Sequence, residues 1–201
     1  EAETLDPHWI LEYSDDFDYE GPDTFTIKPG FPGGPWVEEG PDSRWIARHP
    51  DQGTGNAPGD YLYRITFDLS EFDHETATIT GKWSSDNGGP DVLLNDESTG
   101  IKTTSGFGGF TEFEITSGFV EGINTVDFKV NNAPPGINPT GVRVELNGTA
   151  KELPPKGTPP SITTQPIATT APEGDSVSFR AAADGSRPLA YHWQLNGQDI
   201  A

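Results

Sequence analysis

The sequence predicts an all-β protein, an antiparallel β-sandwich followed by the start of a second β-module. Three observations predict it. Several short runs alternate apolar and polar residues at period two. No segment sustains a 3.6-residue apolar pattern. Turn residues punctuate the runs, with 24 Gly and 19 Pro among 201 residues. Period-two alternation gives each strand one core-facing row and one water-facing row, so two sheets packed face to face are the natural solution. Hydrophobic residues make up only 32%, but eleven Phe, five Trp and five Tyr supply large apolar areas for a core.

Asp6–Tyr13 reads as a first strand. Residues 14–43 read as a long loop rich in acids, Gly and Pro, containing Phe31-Pro-Gly-Gly-Pro-Trp36. Ser43–Ala47 reads as a short strand and Asp51–Asp60 as another loop. From Asp60 to Leu69, Tyr61, Tyr63, Ile65, Phe67 and Leu69 share one face. From Thr76 to Trp83, Ala77, Ile79, Gly81 and Trp83 point inward while three threonines and Lys82 point out. Asp86-Asn-Gly-Gly-Pro-Asp91 then reads as a turn before a strand at Val92–Leu94. Phe110–Ile115 is a further strand, and alternation recurs at Val126–Val130 and at Val142–Leu146.

Residues 151–161 read as a Pro-rich, semi-rigid linker. A second module, 162–201, shows an opening edge strand at Ser161–Pro166, a turn and strand at Glu173–Ala181, and a strand at Leu189–Gly197. There Tyr191, Trp193 and Leu195 share a face. This pattern resembles the N-terminal half of bacterial immunoglobulin-like domains, with Trp193 matching the core tryptophan of their third strand. The second module therefore reads as a truncated immunoglobulin-like sandwich. The chain lacks an initiating Met and a signal peptide and reads as a processed or excised piece.

Charge and composition exclude several functions. The net charge is −20, and residues 1–150 carry 27 Asp and Glu against 8 Lys and Arg. Such a surface repels nucleic acid and anionic membrane, which need basic patches. No stretch is apolar enough to insert in a bilayer. The absence of Cys removes disulfides and thiolate chemistry. His8, His49, His74 and His192 fall at no metal or triad spacing, so the chain reads as non-catalytic.

Residues 1–150 resemble secreted bacterial modules with a galactose-binding-like jelly roll, of the carbohydrate-binding-module type. The segments that carry the resemblance are Asp6-Pro-His-Trp9, Ser43-Arg-Trp-Ile-Ala47, Thr54-Gly-Asn-Ala-Pro-Gly-Asp-Tyr61, the block Gly81–Asn95, Ile115-Thr-Ser-Gly-Phe-Val120, Gly122–Asn132 and Asn138–Leu146. The resemblance implies a jelly-roll β-sandwich in a secreted or cell-surface protein, beside carbohydrate-active domains of the same polypeptide. The expected partner is a polysaccharide or surface glycan. The rival expectation is a structural or adhesive spacer without a small ligand.

The residues offer matching chemistry. Trp36, Trp45, Trp9 and Tyr61 are aromatics suited to stack on a sugar ring, or alternatively to pack a core or anchor a loop. Arg48 and His49, with Arg44, form the local cationic group of an acidic half, suited to clamp a carboxylate or to pair with nearby acids. Asn56, Asp86 and Asn87 supply hydrogen bonds, either to a ligand or to their own turns. Asp15, Asp16, Asp18 and Asp23 lie close together in sequence. A structural Ca2+ is the cation such oxygens would hold, although the spacing is not that of an EF-hand. The expected site is the loop end built from residues 14–60 and 84–91.

Overall fold

The computed structural model describes residues 3–28, 35–154 and 157–200, in two compact units, Glu1–Leu153 and Pro154–Ala201. The first unit has ten strands: β1 Leu5–Ser14, β2 Asp23–Thr26, β3 Ile46–Ala47, β4 Gly59–Asp68, β5 Phe72–Asp86, β6 Gly88–Leu94, β7 Glu97–Ser98, β8 Thr111–Ile115, β9 Ile123–Asn132 and β10 Gly141–Glu152. They form one curled antiparallel sheet in the order β7-β6-β9-β4-β1-β2-β3-β10-β5-β8. The curl folds it into two facing layers, β7-β6-β9-β4-β1 and β3-β10-β5-β8, with β2 bridging them along one edge. From β3 onward nearly every connection passes from one layer to the other, as in a jelly roll.

The inward rows follow the predicted alternation. Tyr61 and Tyr63 on β4, Val92 on β6, and Val126, Phe128 and Val130 on β9 have no exposed surface, nor do Trp83 on β5 and Val142 on β10. Phe128 joins the layers. Its ring meets Trp83, Phe113 and Trp9 edge-on at 5.2, 5.6 and 5.6 Å. Gly89 is required where β6 passes Trp83, because a Cβ there would overlap the indole. On the outer face of the first layer, Arg64 grips the buried Asp127 through Nε and Nη2, both at 2.7 Å.

Four expectations are corrected. Residues 14–43 contain a strand, β2, which pairs with β1 and β3. Its alternate buried residues are Thr24 and Thr26, so hydrophobic periodicity does not reveal it. Asp86 is not in a turn. It ends β5 opposite Gly141, and only Asn87 separates it from β6 in the other layer. Strand β10 runs through Lys151 and Glu152, which pair with Asp73 and Phe72, so the first two residues of the expected linker belong to the sheet.

The fourth concerns the second unit, which has two separate two-stranded ladders. β11 Ser161–Thr164 pairs with β12 Ala182–Asp184, and β13 Trp193–Leu195 pairs with β14 Gln198–Ile200 across an Asn196-Gly197 turn. Glu173–Ala181 forms no strand, and Trp193 is 38% exposed instead of lying in a core. No second layer packs on these ladders among the described residues of the unit, so the Trp193 ring stays partly in water. Nor does any described helix have the length and apolarity to cross a membrane.

Candidate functional site

Most of the residues singled out in the sequence build the scaffold of one end of the first unit. Trp36 and Trp45 are buried, with ring centroids 4.3 Å apart, in a satellite core with Ile27 and Ala47. The indole of Trp36 donates to Asp86 Oδ2 at 2.9 Å, and that of Trp45 to the Val37 carbonyl at 2.9 Å. Neither ring has a face left for a sugar. Tyr61 is fully buried and its hydroxyl donates to the Ala57 carbonyl at 2.7 Å. The phenol pKa of Tyr61 is pushed up by burial.

Asn56 is also fully buried. Its side chain donates to Gln52 Oε1 at 2.6 Å and accepts from Arg48 Nε at 2.7 Å. Arg48 continues to Asp16, with Nη2 3.1 Å from Oδ2. His49 is half-buried, with Nε2 3.0 Å from the Thr54 hydroxyl. Burial first, and then the Arg48 charge, lower its pKa. Asn132, at the end of β9, donates to the Asn56 and Ala57 carbonyls at 3.1 and 3.0 Å, and the Thr140 amide to Gln52 Oε1 at 3.1 Å. With these, the 48–57 segment is held in place by contacts that stand where ligand contacts were expected of Arg48, Asn56 and Tyr61.

The four aspartates do not converge. Asp15 accepts from the Tyr13 hydroxyl and, at 2.7 Å, from the Asp60 amide. The amide bond is the larger cause of its lowered pKa, ahead of the tyrosine. Asp16 caps the Ala57 amide at 3.0 Å and pairs with Arg48, while Asp18 and Asp23 face water. Among the described residues no three acidic or histidine side chains come together as a metal site. The expectation of a calcium site at Asp15, Asp16, Asp18 and Asp23 is therefore corrected.

Asp86 is 5% exposed, and its Oδ1 has no hydrogen-bond partner. Desolvation raises its carboxyl pKa to about 6 against a smaller lowering by Trp36. Asn87 does reach a surface. Its Oδ1 accepts from the Ala133 amide at 2.8 Å, and it lines a shallow groove with Asp60, Lys102, Lys129 and Asn131.

One aromatic of the four keeps an accessible surface. Trp9 lines a cleft of about 300 Å3 with Asp6, His8, Asp42, Ser43, Arg44 and the apolar floor of Ile46 and Val144. Local structure fixes the indole. Asp6 Oδ1 accepts from the His8 and Trp9 amides at 2.8 and 3.1 Å, Thr24 donates to the Trp9 carbonyl at 2.8 Å, and Phe128 backs the ring.

The opposite wall is fixed by charge. Ser43 donates to Glu145 at 3.0 Å and accepts from Arg143 Nε at 2.8 Å. Glu145 also receives Lys82 at 2.9 Å, the largest cause of its lowered pKa. Arg44 stands at the rim, 3.2 Å from Glu39, with its side chain 40% exposed.

An aromatic wall, two carboxylates, a guanidinium, an imidazole and a hydroxyl around a volume of this size suit one small polar ring. Sequence reasoning named Trp9 and Arg44 but missed Asp6, His8, Asp42 and Ser43. No local motif marks them, because β1 and the 41–46 segment meet only in the folded sheet.

No family model and no curated protein matches the chain. Two solved structures are similar to it. One is a family 35 carbohydrate binding module from an environmental isolate, at 14% identity over 65% of this chain and 98% of that one, with a TM-score of 0.32. The other is the family 35 module from Paenibacillus barcinonensis, at 13% identity over 72% of this chain and 91% of that one, also with a TM-score of 0.32.

Proposed function

We propose that the first unit is a non-catalytic carbohydrate-binding accessory module of a larger extracellular protein, and that the Trp9 cleft holds one sugar residue of a glycan. The observation that carries this reading is the cleft itself. The one accessible tryptophan among the unit's described residues stands there against a polar rim whose opposite wall is held by the Ser43–Glu145–Arg143 network. An indole face takes the C–H face of a pyranose, and Asp6, Asp42, Ser43 and Arg44 reach its hydroxyls. The cleft matches a single ring in size, which favours recognition of a chain end or one residue of a polymer.

The test is binding of the full chain to a panel of polysaccharides, followed by titration with the best ligand. Trp9→Ala and the rim variants Asp42→Ala and Arg44→Ala are expected to weaken binding about tenfold or more each. The rim variants guard against a Trp9→Ala chain that loses its packing on Phe128. No retention on any glycan would return the molecule to the spacer reading. Retention that ignores all three variants would move the site elsewhere.

A further inference from the structure

We infer that a groove on the outer face of the second layer carries a glycan chain onward from the Trp9 cleft, so that the unit takes a stretch of a neutral polysaccharide, a step that rests on the cleft being a sugar site. Ser43 joins the two places. It lines the cleft and donates at 3.0 Å to Glu145, which lines the groove. One hydrogen bond therefore separates the two linings, and the far wall of the cleft is the start of the groove.

The sheet itself shapes the groove. Leu146, Gly81 and Phe113 stand opposite one another across β10, β5 and β8, in rows that face the core. Their main chain floors a trough of about 510 Å3 that crosses the three strands. Outward rows wall it on both sides. Glu145, Lys82 and Glu112 form one, and Asn147 and Thr80 form the other. Neighbouring strands lie about 4.8 Å apart, so a track across three of them is long enough for a further ring or more.

The walls carry the chemistry of hydroxyl recognition. Lys82 is fixed by Glu145 at 2.9 Å and lies 4.7 Å from the centre of the Phe110 ring, which Arg143 also approaches, at 4.8 Å. That wall is set before a ligand arrives. Thr80, Glu112 and Asn147 are exposed, and none of the three side chains makes a hydrogen bond or ion pair with a described residue. A hydroxyl, a carboxylate and an amide are thus free to meet sugar hydroxyls. The two carboxylates of the groove face one ammonium that is already paired, so a polyuronate is repelled and an uncharged chain is the match.

Ladders of neutral oligosaccharides built from glucose, mannose, xylose or galactose, from the monosaccharide to the hexasaccharide, test the groove by calorimetry on the full chain. In a series that binds, the hexasaccharide is expected to bind about tenfold tighter than the monosaccharide. The longer members, and not the monosaccharide, should shift the Gly81 and Asn147 amides in NMR spectra. Asn147→Ala combined with Glu112→Ala, and separately Thr80→Val, should reduce the gain with length and leave the monosaccharide affinity unchanged, whereas Trp9→Ala should weaken every member. Equal affinity at every length, or a gain that survives the groove variants, would overturn the groove and leave the Trp9 cleft standing. An oligogalacturonate that binds as tightly as the neutral hexasaccharide would overturn the choice of chain. No binding by any member, or binding indifferent to Trp9→Ala, would remove the cleft as a sugar site and the groove with it.

Discussion

Replacing Asp86 by Asn is expected to stabilise the protein at neutral pH. The carboxyl is 5% exposed, one oxygen accepts from Trp36 and the other has no partner. Its pKa is raised from the ordinary 3.8 to about 6, burial being the main cause. A carboxyl raised in the folded state favours folding when protonated. That contribution is complete below about pH 4 and is lost as pH rises through about 6. The displacement corresponds to about 3 kcal/mol at most, and partial solvent screening brings it nearer 2 kcal/mol.

Asn keeps an acceptor for the Trp36 indole and carries no charge to desolvate. The variant should therefore gain about 2 kcal/mol over the parent at pH 8, a rise of several degrees in Tm, and lose the advantage near pH 4. Urea titrations followed by tryptophan fluorescence at several pH values between those limits measure the difference directly. Taking variant minus parent cancels the other carboxylates. A variant less stable than the parent at pH 8, or a difference independent of pH, would refute the claim that Asp86 is an uncompensated buried charge. Trp36→Phe removes the bond that lowers the pKa and should push the transition to higher pH.

Three other perturbations test the scaffold. Arg64→Ala should cost roughly 3 kcal/mol in chemical denaturation, because it strands the buried Asp127 carboxylate, and Asp127→Asn in the same chain should recover part of it. Gly89→Ala should cost about 1–3 kcal/mol by forcing a methyl against Trp83, with the loss seen in Tm. Trp193→Ser should change the first unit's unfolding free energy in urea by no more than about 0.5 kcal/mol, since that ring is 38% exposed in the second unit.

The fold was legible where a strand has one dry face and one wet one. β4, β5, β9 and the first half of β10 carry that contrast in their side chains, and their inward rows are those the alternation names. β2 was not legible, because its buried positions are threonines whose hydroxyls reach neighbouring carbonyls. The site was less legible still. Trp36, flanked by Gly and Pro, looks exposed in sequence, yet its acceptor lies 50 residues away on β5. Trp45 disappears against Trp36, its indole bonded to the Val37 carbonyl. Trp9 belongs to an inward row with Leu11, and only the local lack of a covering strand leaves part of it in water. Such facts depend on which strands fail to meet, and no local pattern encodes them.

The layer-to-layer crossings also constrain how the chain assembles. β1 waits for β4, β6 waits for β9, and β3 and β5 both wait for β10, the last strand of the unit. Few early ladders are local hairpins, so loop closure precedes most of the stabilising contacts and folding should be slow. On a ribosome the unit would stay open until Glu152 had cleared the exit tunnel. A chain stopped before β10 would leave one side of β5 unpaired and the Trp36–Trp45 cluster without its neighbouring strand, a template for aggregation.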